Sequence, residues 1–159
     1  MTARDRRRAA WRPTTLIATW FGTGFLPVAP GSWGSLAALP FAWGLEWLGG
    51  QALLLAAALA AFALGWWAAG AYAARTGDDD PGAVVIDEVA GQWLALAFVP
   101  ASVWSYALGF VLFRIADIAK PWPASLAERR LAGGLGVMAD DMVAGAYAGL
   151  GLLVVERLI

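Results

Sequence analysis

The chain contains no cysteine and no histidine. The first absence excludes disulfides, thiolate metal sites and cysteine nucleophiles. The second removes the commonest general base and every mechanism that passes through a phosphohistidine. Charge is also scarce. Only 14% of residues are charged and 60% are hydrophobic, against roughly 25% and 45–50% in soluble domains. That balance points to a lipid bilayer. The net charge of −1 argues against a nucleic-acid partner, which demands a basic face. Hydrolytic chemistry here has to use carboxylates, Lys, Arg, Ser, Thr or Tyr, with a metal as the natural source of an activated water.

What charge there is falls in blocks. No charged residue lies between Arg12 and Glu46, between Glu46 and Arg75, between Glu88 and Arg114, or between Asp141 and Glu156. A helix needs about 20 apolar residues to cross a bilayer. Gln51 to Ala74 is the strongest such run. Ser35 to Leu48 reads as its shorter partner, kinked at Pro40, with Gly49 and Gly50 as the turn. Met142 to Val155 reads as a short last helix whose small residues suit close packing in lipid. Trp33, Trp47, Trp66, Trp67 and Trp104 fall near expected span ends. The 159 residues make one domain. Residues 1–13 form a basic tail that reads as a cytoplasmic anchor and not as a removable signal peptide.

Val89 to Phe113 carries two readings. One helix of 25 residues would be about 37 Å long and would put the flanking polar segments on opposite faces. A hairpin turning near Pro100–Ser102 returns both to one face. The positive-inside rule places the N-terminus and the Arg114–Arg130 loop in the cytoplasm. The hairpin agrees with that rule and is the preferred expectation. The expected fold is therefore all-α, a small polytopic membrane helical bundle with its polar segments at the cytoplasmic face.

The acids are concentrated, nine of the twelve between Asp78 and Asp141. Asp80-Pro81 has the form of an N-cap followed by proline at the first helical position, which puts Asp87 and Glu88 two turns inside that helix. Twenty-five uncharged residues follow them, and ionised carboxylates beside a membrane interior are functional candidates. Arg114, Asp117 and Lys120 lie at i, i+3, i+6 on one helical face, where a cation, an acid and a cation could hold a phosphate beside a metal. The alternative is an ordinary interfacial ion-pair stripe. Pro121 ends that helix near Lys120.

Further on, Gly133, Gly134 and Gly136 permit tight turns and close approach to a ligand. One of Asp140 and Asp141 would cap the last helix, and the pair exceeds what a cap requires. Mg²⁺ favours one or two carboxylates with waters and phosphate oxygens. The loop from Thr19 to Ser35 offers Thr23, Pro30, Gly31, Ser32 and Ser35 as hydroxyls and backbone around a phosphate. It also reads as a plain linker.

Three blocks, GTGFLPVAPGSWGSL, VVIDEVAGQWLAL and FRIADIAKPWP…GGLGVMADDMVAG, resemble the signatures of the phosphatidylglycerophosphatase A family. With their spacing they cover most of the chain. The resemblance implies an all-helical, Mg²⁺-dependent enzyme of the bacterial inner membrane. Such an enzyme would convert phosphatidylglycerophosphate to phosphatidylglycerol, with that substrate and membrane lipids as its partners. It also implies that Asp80, Asp87, Glu88, Asp117, Asp140 and Asp141 are functional acids and that Arg114 and Lys120 face phosphate. Asp80, Asp87, Glu88, Asp140 and Asp141 would hold metal, Asp117 would be a further ligand or base, and Asp87, Asp117, Arg114 and Lys120 would share the catalytic work. Which acid is the general base stays open. Ser32 replaces a common Thr, and Glu128 replaces an Asp before Arg129. The rival is a transporter or channel subunit using the acids as a cation path, which would place them near the bilayer midplane. Here they flank the apolar segments instead. A CDP-alcohol-type transferase would need a DG…AR…G…D…D pattern that is absent.

Overall fold

A computed structural model describes residues 12–123, 131 and 133–158. The basic tail through residue 11, and Glu128, lie outside them. Proline opens the first helix, α1 (Pro13–Ala18), at a position where its missing N–H is no loss. Residues 19–29 then turn sharply, with left-handed φ at Trp20, Phe21, Gly22 and Ala29, around a 3₁₀ turn at Thr23–Phe25.

The long helix α2 (Pro30–Thr76) is two helices joined by a break. Its torsions leave the helical region at Gly49 and at Gly50, where φ is 67°, and not at Pro40. The expected Gly-Gly turn is therefore the joint. The start is earlier than the expected Ser35, because Pro30 takes the first helical position. Residues 30–34 thus belong to a helical first turn and not to a loop. The two halves fold back on each other. At one end Glu46 Oε1 accepts from Ala101 N–H at 2.7 Å. At the other, the Arg75 guanidinium donates to the hydroxyls of Thr14 and Thr15, each at 2.9 Å.

Three helices follow: α3 (Ile86–Leu96), α4 (Val103–Ala119) and α5 (Gly134–Leu158). Val89–Phe113 is a hairpin and not one helix. Residues 97–102 form its turn, and Ser102 caps α4 by accepting from Ser105 N–H at 2.9 Å. Two expected helix starts are corrected. The helix signalled at Asp80-Pro81 begins at Ile86. Pro81 to Val84 instead closes a turn at 2.8 Å, and Val85 N–H is taken by Ala18 C=O. Burial of Val84 and Val85 overrides the local cap signal. Asp87 and Glu88 consequently sit in the first turn of α3, where the helix dipole favours negative charge. Likewise α5 begins at Gly134, not Met142. Asp140 and Asp141 are inside it and cap nothing.

The helices lock through small residues. Against α2, Gly34 meets Val85, and Trp93 Nε1 donates to Ala38 C=O at 2.9 Å. Between α3 and α5, Gly91 and Gly145 let the backbones touch, since a Cβ on Gly145 would collide with Gly91 C=O. Every regular element among the described residues is helical. Two of them, Pro30–Thr76 and Gly134–Leu158, are long and apolar enough to cross a membrane.

Candidate active site

The helix starts bring the polar segments to one end of the bundle, around a cavity of about 480 Å³. Pro30 and Gly31 enter it from the first turn of α2, Asp87 and Glu88 from the first turn of α3, and Asp117 and Lys120 from the end of α4. Asp140 and Asp141 enter from α5, with Gly133 beside them. Lys120 follows the last turn of α4 with left-handed φ, as the residue before Pro121.

One oxygen each of Asp87, Glu88 and Asp141 lies within 4.8 Å of the others. Asp87 Oδ1, Glu88 Oε2 and Asp141 Oδ2 are buried with no hydrogen-bond donor among the described residues. Three like charges at that spacing repel by on the order of 3–4 kcal/mol per pair at an effective dielectric of about 20. Three carboxylates close together, each with a buried oxygen lacking a donor, are a donor set that suits a hard divalent cation.

The two basic residues are already engaged. Arg114 pairs with Asp117 and lies 3.8 Å from Glu88. Lys120 Nζ donates to Asp140 Oδ2 at 2.8 Å, while Asp140 Oδ1 accepts from Asp141 N–H. Gly31 is a close-approach position, because a Cβ there would collide with Glu88 Oε1. Among the described residues, seven carboxylates (Asp79, Asp80, Asp87, Glu88, Asp117, Asp140, Asp141) stand at this cavity with two cations, Arg114 and Lys120. Their excess is negative, and a divalent cation would offset it for an entering phosphate dianion.

Other predicted residues lie elsewhere. Asp80 is exposed on the rim, apart from the three-carboxylate cluster. Thr23 donates its hydroxyl to backbone carbonyls of its own turn. Gly134 does not line the cavity but packs against Trp66 and Gly70 of α2. Ser32 is half-buried and also stands outside the lining. Ser35, one turn below Gly31, is fully buried with its Oγ unpartnered among the described residues. Gln92 was not singled out by sequence reasoning. It lies one turn below Glu88, fully buried, with neither amide atom partnered among the described residues. The available signal was an amide within a run of apolar residues, a costly placement in a lipid-embedded helix.

The fold and cavity define a protein, helical throughout its described regular elements, that presents a carboxylate-lined cavity at one end of a set of apolar helices. The profile of the phosphatidylglycerophosphatase A family matches residues 16–156, and the chain belongs to that family. It is 41% identical over 137 residues to phosphatidylglycerophosphatase A of Escherichia coli, covering 86% of this chain and 79% of the relative. It is 38% identical to the Haemophilus influenzae protein of the same name, covering 86% and 84%. A Bacteroides thetaiotaomicron protein provisionally named phosphatidylinositol-3-phosphatase is 39% identical over 155 residues, covering 89% and 92%. No solved structure matches the chain.

Proposed function

We propose that the chain is a Mg²⁺-dependent phosphatidylglycerophosphatase that hydrolyses phosphatidylglycerophosphate to phosphatidylglycerol and phosphate. Its place would be the bacterial inner membrane, with the cavity open to the cytoplasm. The observation that carries this reading is the cluster of three carboxylates with oxygens within 4.8 Å of one another, each also holding a buried oxygen without a donor among the described residues, set in a cavity on a chain of this family. The membrane setting is supported by two helices of crossing length and by Leu59, Leu64, Trp66, Trp67, Ile115 and Val154, each more than half exposed. Apolar surface on that scale is at home against lipid.

In this reading Asp87, Glu88 and Asp141 hold the cation. Bound there, Mg²⁺ would neutralise charge and polarise phosphate oxygens and water. The chain's own groups do the positioning. The N-terminal end of α2 opens on the cavity at Pro30 and Gly31 and turns the positive end of its dipole toward an anion. Lys120, anchored by Asp140, sets the ammonium at the wall for a phosphate oxygen. Asp117 lines the cavity outside the cluster and is fixed in place by Arg114. It is the group placed to take the proton of the attacking water. As the phosphorus–oxygen bond breaks, a proton passes to the departing glycerol oxygen, leaving alcohol and inorganic phosphate. Phosphoryl transfer depends mainly on such positioning and electrostatics.

The test is phosphate release by detergent-purified protein from phosphatidylglycerophosphate and from phosphatidylinositol 3-phosphate, each with Mg²⁺ and with EDTA. The expected result is Mg²⁺-dependent release from the first and little from the second. Preference for the second would reassign the substrate, and no release with any divalent cation would remove the phosphatase reading. Asp87→Asn and Asp141→Asn should each abolish activity in folded protein.

A further inference from the structure

An apolar groove of about 530 Å³ runs between the first half of α2 and α4, separate from the polar cavity. Leu36 and Trp43 line it from α2, and Tyr106, Ala107, Phe110 and Val111 line it from α4. The spacing on each helix is that of a single face.

The groove has a beginning and an end. It begins just below the phosphate-side residues: Leu36 is five residues beyond Gly31, and Phe110 lies one turn before Arg114 on the same face of α4. Its far end is lined by Trp43, Tyr106 and Val103, and there the rings of Trp43 and Tyr106 meet edge-on, with centroids 5.1 Å apart. The Tyr106 hydroxyl is anchored there on Glu46 at 3.0 Å. Leu36 to Trp43 is about 10 Å along a helix, most of one leaflet of a hydrocarbon core about 30 Å thick. Leu36, Trp43 and Val111 are each more than 40% exposed, so the groove opens sideways.

We propose that this groove takes an acyl chain of the lipid substrate, which enters sideways between α2 and α4 while its phosphate reaches the carboxylate cavity. The proposal rests on the lipid-phosphatase reading above. Its basis is that one pair of helices frames both cavity and groove. The same two helices carry Gly31 and Asp117 at the cavity wall and the groove lining directly beneath. A molecule with a phosphate at one end and an apolar tail therefore lies along one path.

Ala107 is the smallest of these lining residues and is exposed, so Ala107→Trp fills the groove without entering the core. Ile115→Trp, on exposed α4 surface outside the groove, is the control. Phosphate release is measured with dipalmitoyl phosphatidylglycerophosphate and with its deacylated form, glycerophosphoglycerophosphate. Ala107→Trp should raise KM for the dipalmitoyl lipid tenfold or more with kcat nearly unchanged, the mark of lost binding shared by ground and transition states. Its KM for the deacylated substrate should match that of the unmodified chain, and Ile115→Trp should alter neither.

An unchanged lipid KM, or an equal rise for both substrates, would overturn the groove assignment. So would a dimer lost on Ala107→Trp, which would give the groove to a second copy. Ala107→Leu, a smaller filling, should show a graded effect if the larger variant folds poorly, and its absence would count against the proposal. No release by the unmodified chain from either substrate would instead defeat the phosphatase reading, and the groove assignment with it.

Discussion

Gly31 is the residue whose role is most local. It lies where the first turn of α2 meets Glu88, and the space a Cβ would need is taken by Glu88 Oε1 and bordered by Arg114. Gly31→Ala must displace the Glu88 carboxylate or lift the start of α2. Ligand-positioning changes of this kind cost about 10–100-fold in metal affinity or activity. Phosphate release should fall by about that factor and the half-saturating Mg²⁺ concentration should rise, as a Mg²⁺ titration of activity would show. Normal Mg²⁺ dependence in Gly31→Ala would mean that Glu88 is not a ligand.

The carboxyls themselves give a pH prediction. Asp87, Glu88 and Asp141 can hold a cation only as carboxylates, so protons compete with the metal for the cluster. A cation bound there would stabilise the folded chain in its deprotonated form. The rise in thermal midpoint on adding Mg²⁺ should therefore grow with pH. A Mg²⁺ effect that shrinks with pH would contradict a carboxylate site.

Among the elements, the α3–α4 hairpin is held at its turn by one side chain of α2. Glu46 accepts from Ala101 N–H with one oxygen and from the Tyr106 hydroxyl with the other. Glu46→Ala leaves both donors without that acceptor, at a cost of about 1–3 kcal/mol for each buried group so abandoned. The thermal midpoint in detergent should drop by several degrees, and Glu46→Gln, which keeps one acceptor oxygen, should lose less. Equal midpoints for all three proteins would show that the turn is held otherwise.

The hairpin was legible because a charge-free interval was broken by Pro100-Ala101-Ser102, and the α2 joint because two glycines stood together. The starts of α3 and α5 were not legible. Asp80-Pro81 and Asp140-Asp141 are sound local start signals. The folded chain overrides the first by burying Val84 and Val85 in non-helical backbone, and it starts α5 after left-handed Gly133. At the site, the acids showed in the sequence through their clustering. Gln92 was missed although its amide stood in an apolar run, because within such runs only charge marked a candidate.

At the scale of the whole molecule, the polar groups form two layers. One holds Gly31, Glu88, Arg114 and Asp141; the other holds Glu46, Ala101, Ser105 and Glu156, with Ser105 donating to Glu156. Gly31 to Glu46 and Asp141 to Glu156 are each fifteen residues of helix, about 22 Å. A bilayer's hydrocarbon core is about 30 Å, so both layers cannot lie at its boundaries unless the bilayer thins. The cavity layer carries excess negative charge and has to meet water. The acids of the far layer are each hydrogen-bonded within the protein, so they tolerate a position roughly 8 Å inside the opposite boundary. The proposed topology then makes an asymmetric prediction, accessible because the chain has no native cysteine. In vesicles, Asp79→Cys at the cavity rim should react rapidly with a membrane-impermeant maleimide from the cytoplasmic side. Ser102→Cys at the hairpin turn should react only from the opposite side, and more slowly. Equal rates from one side would place both layers in the same aqueous phase, which would leave the cavity open but make the hairpin a surface element that does not cross the membrane.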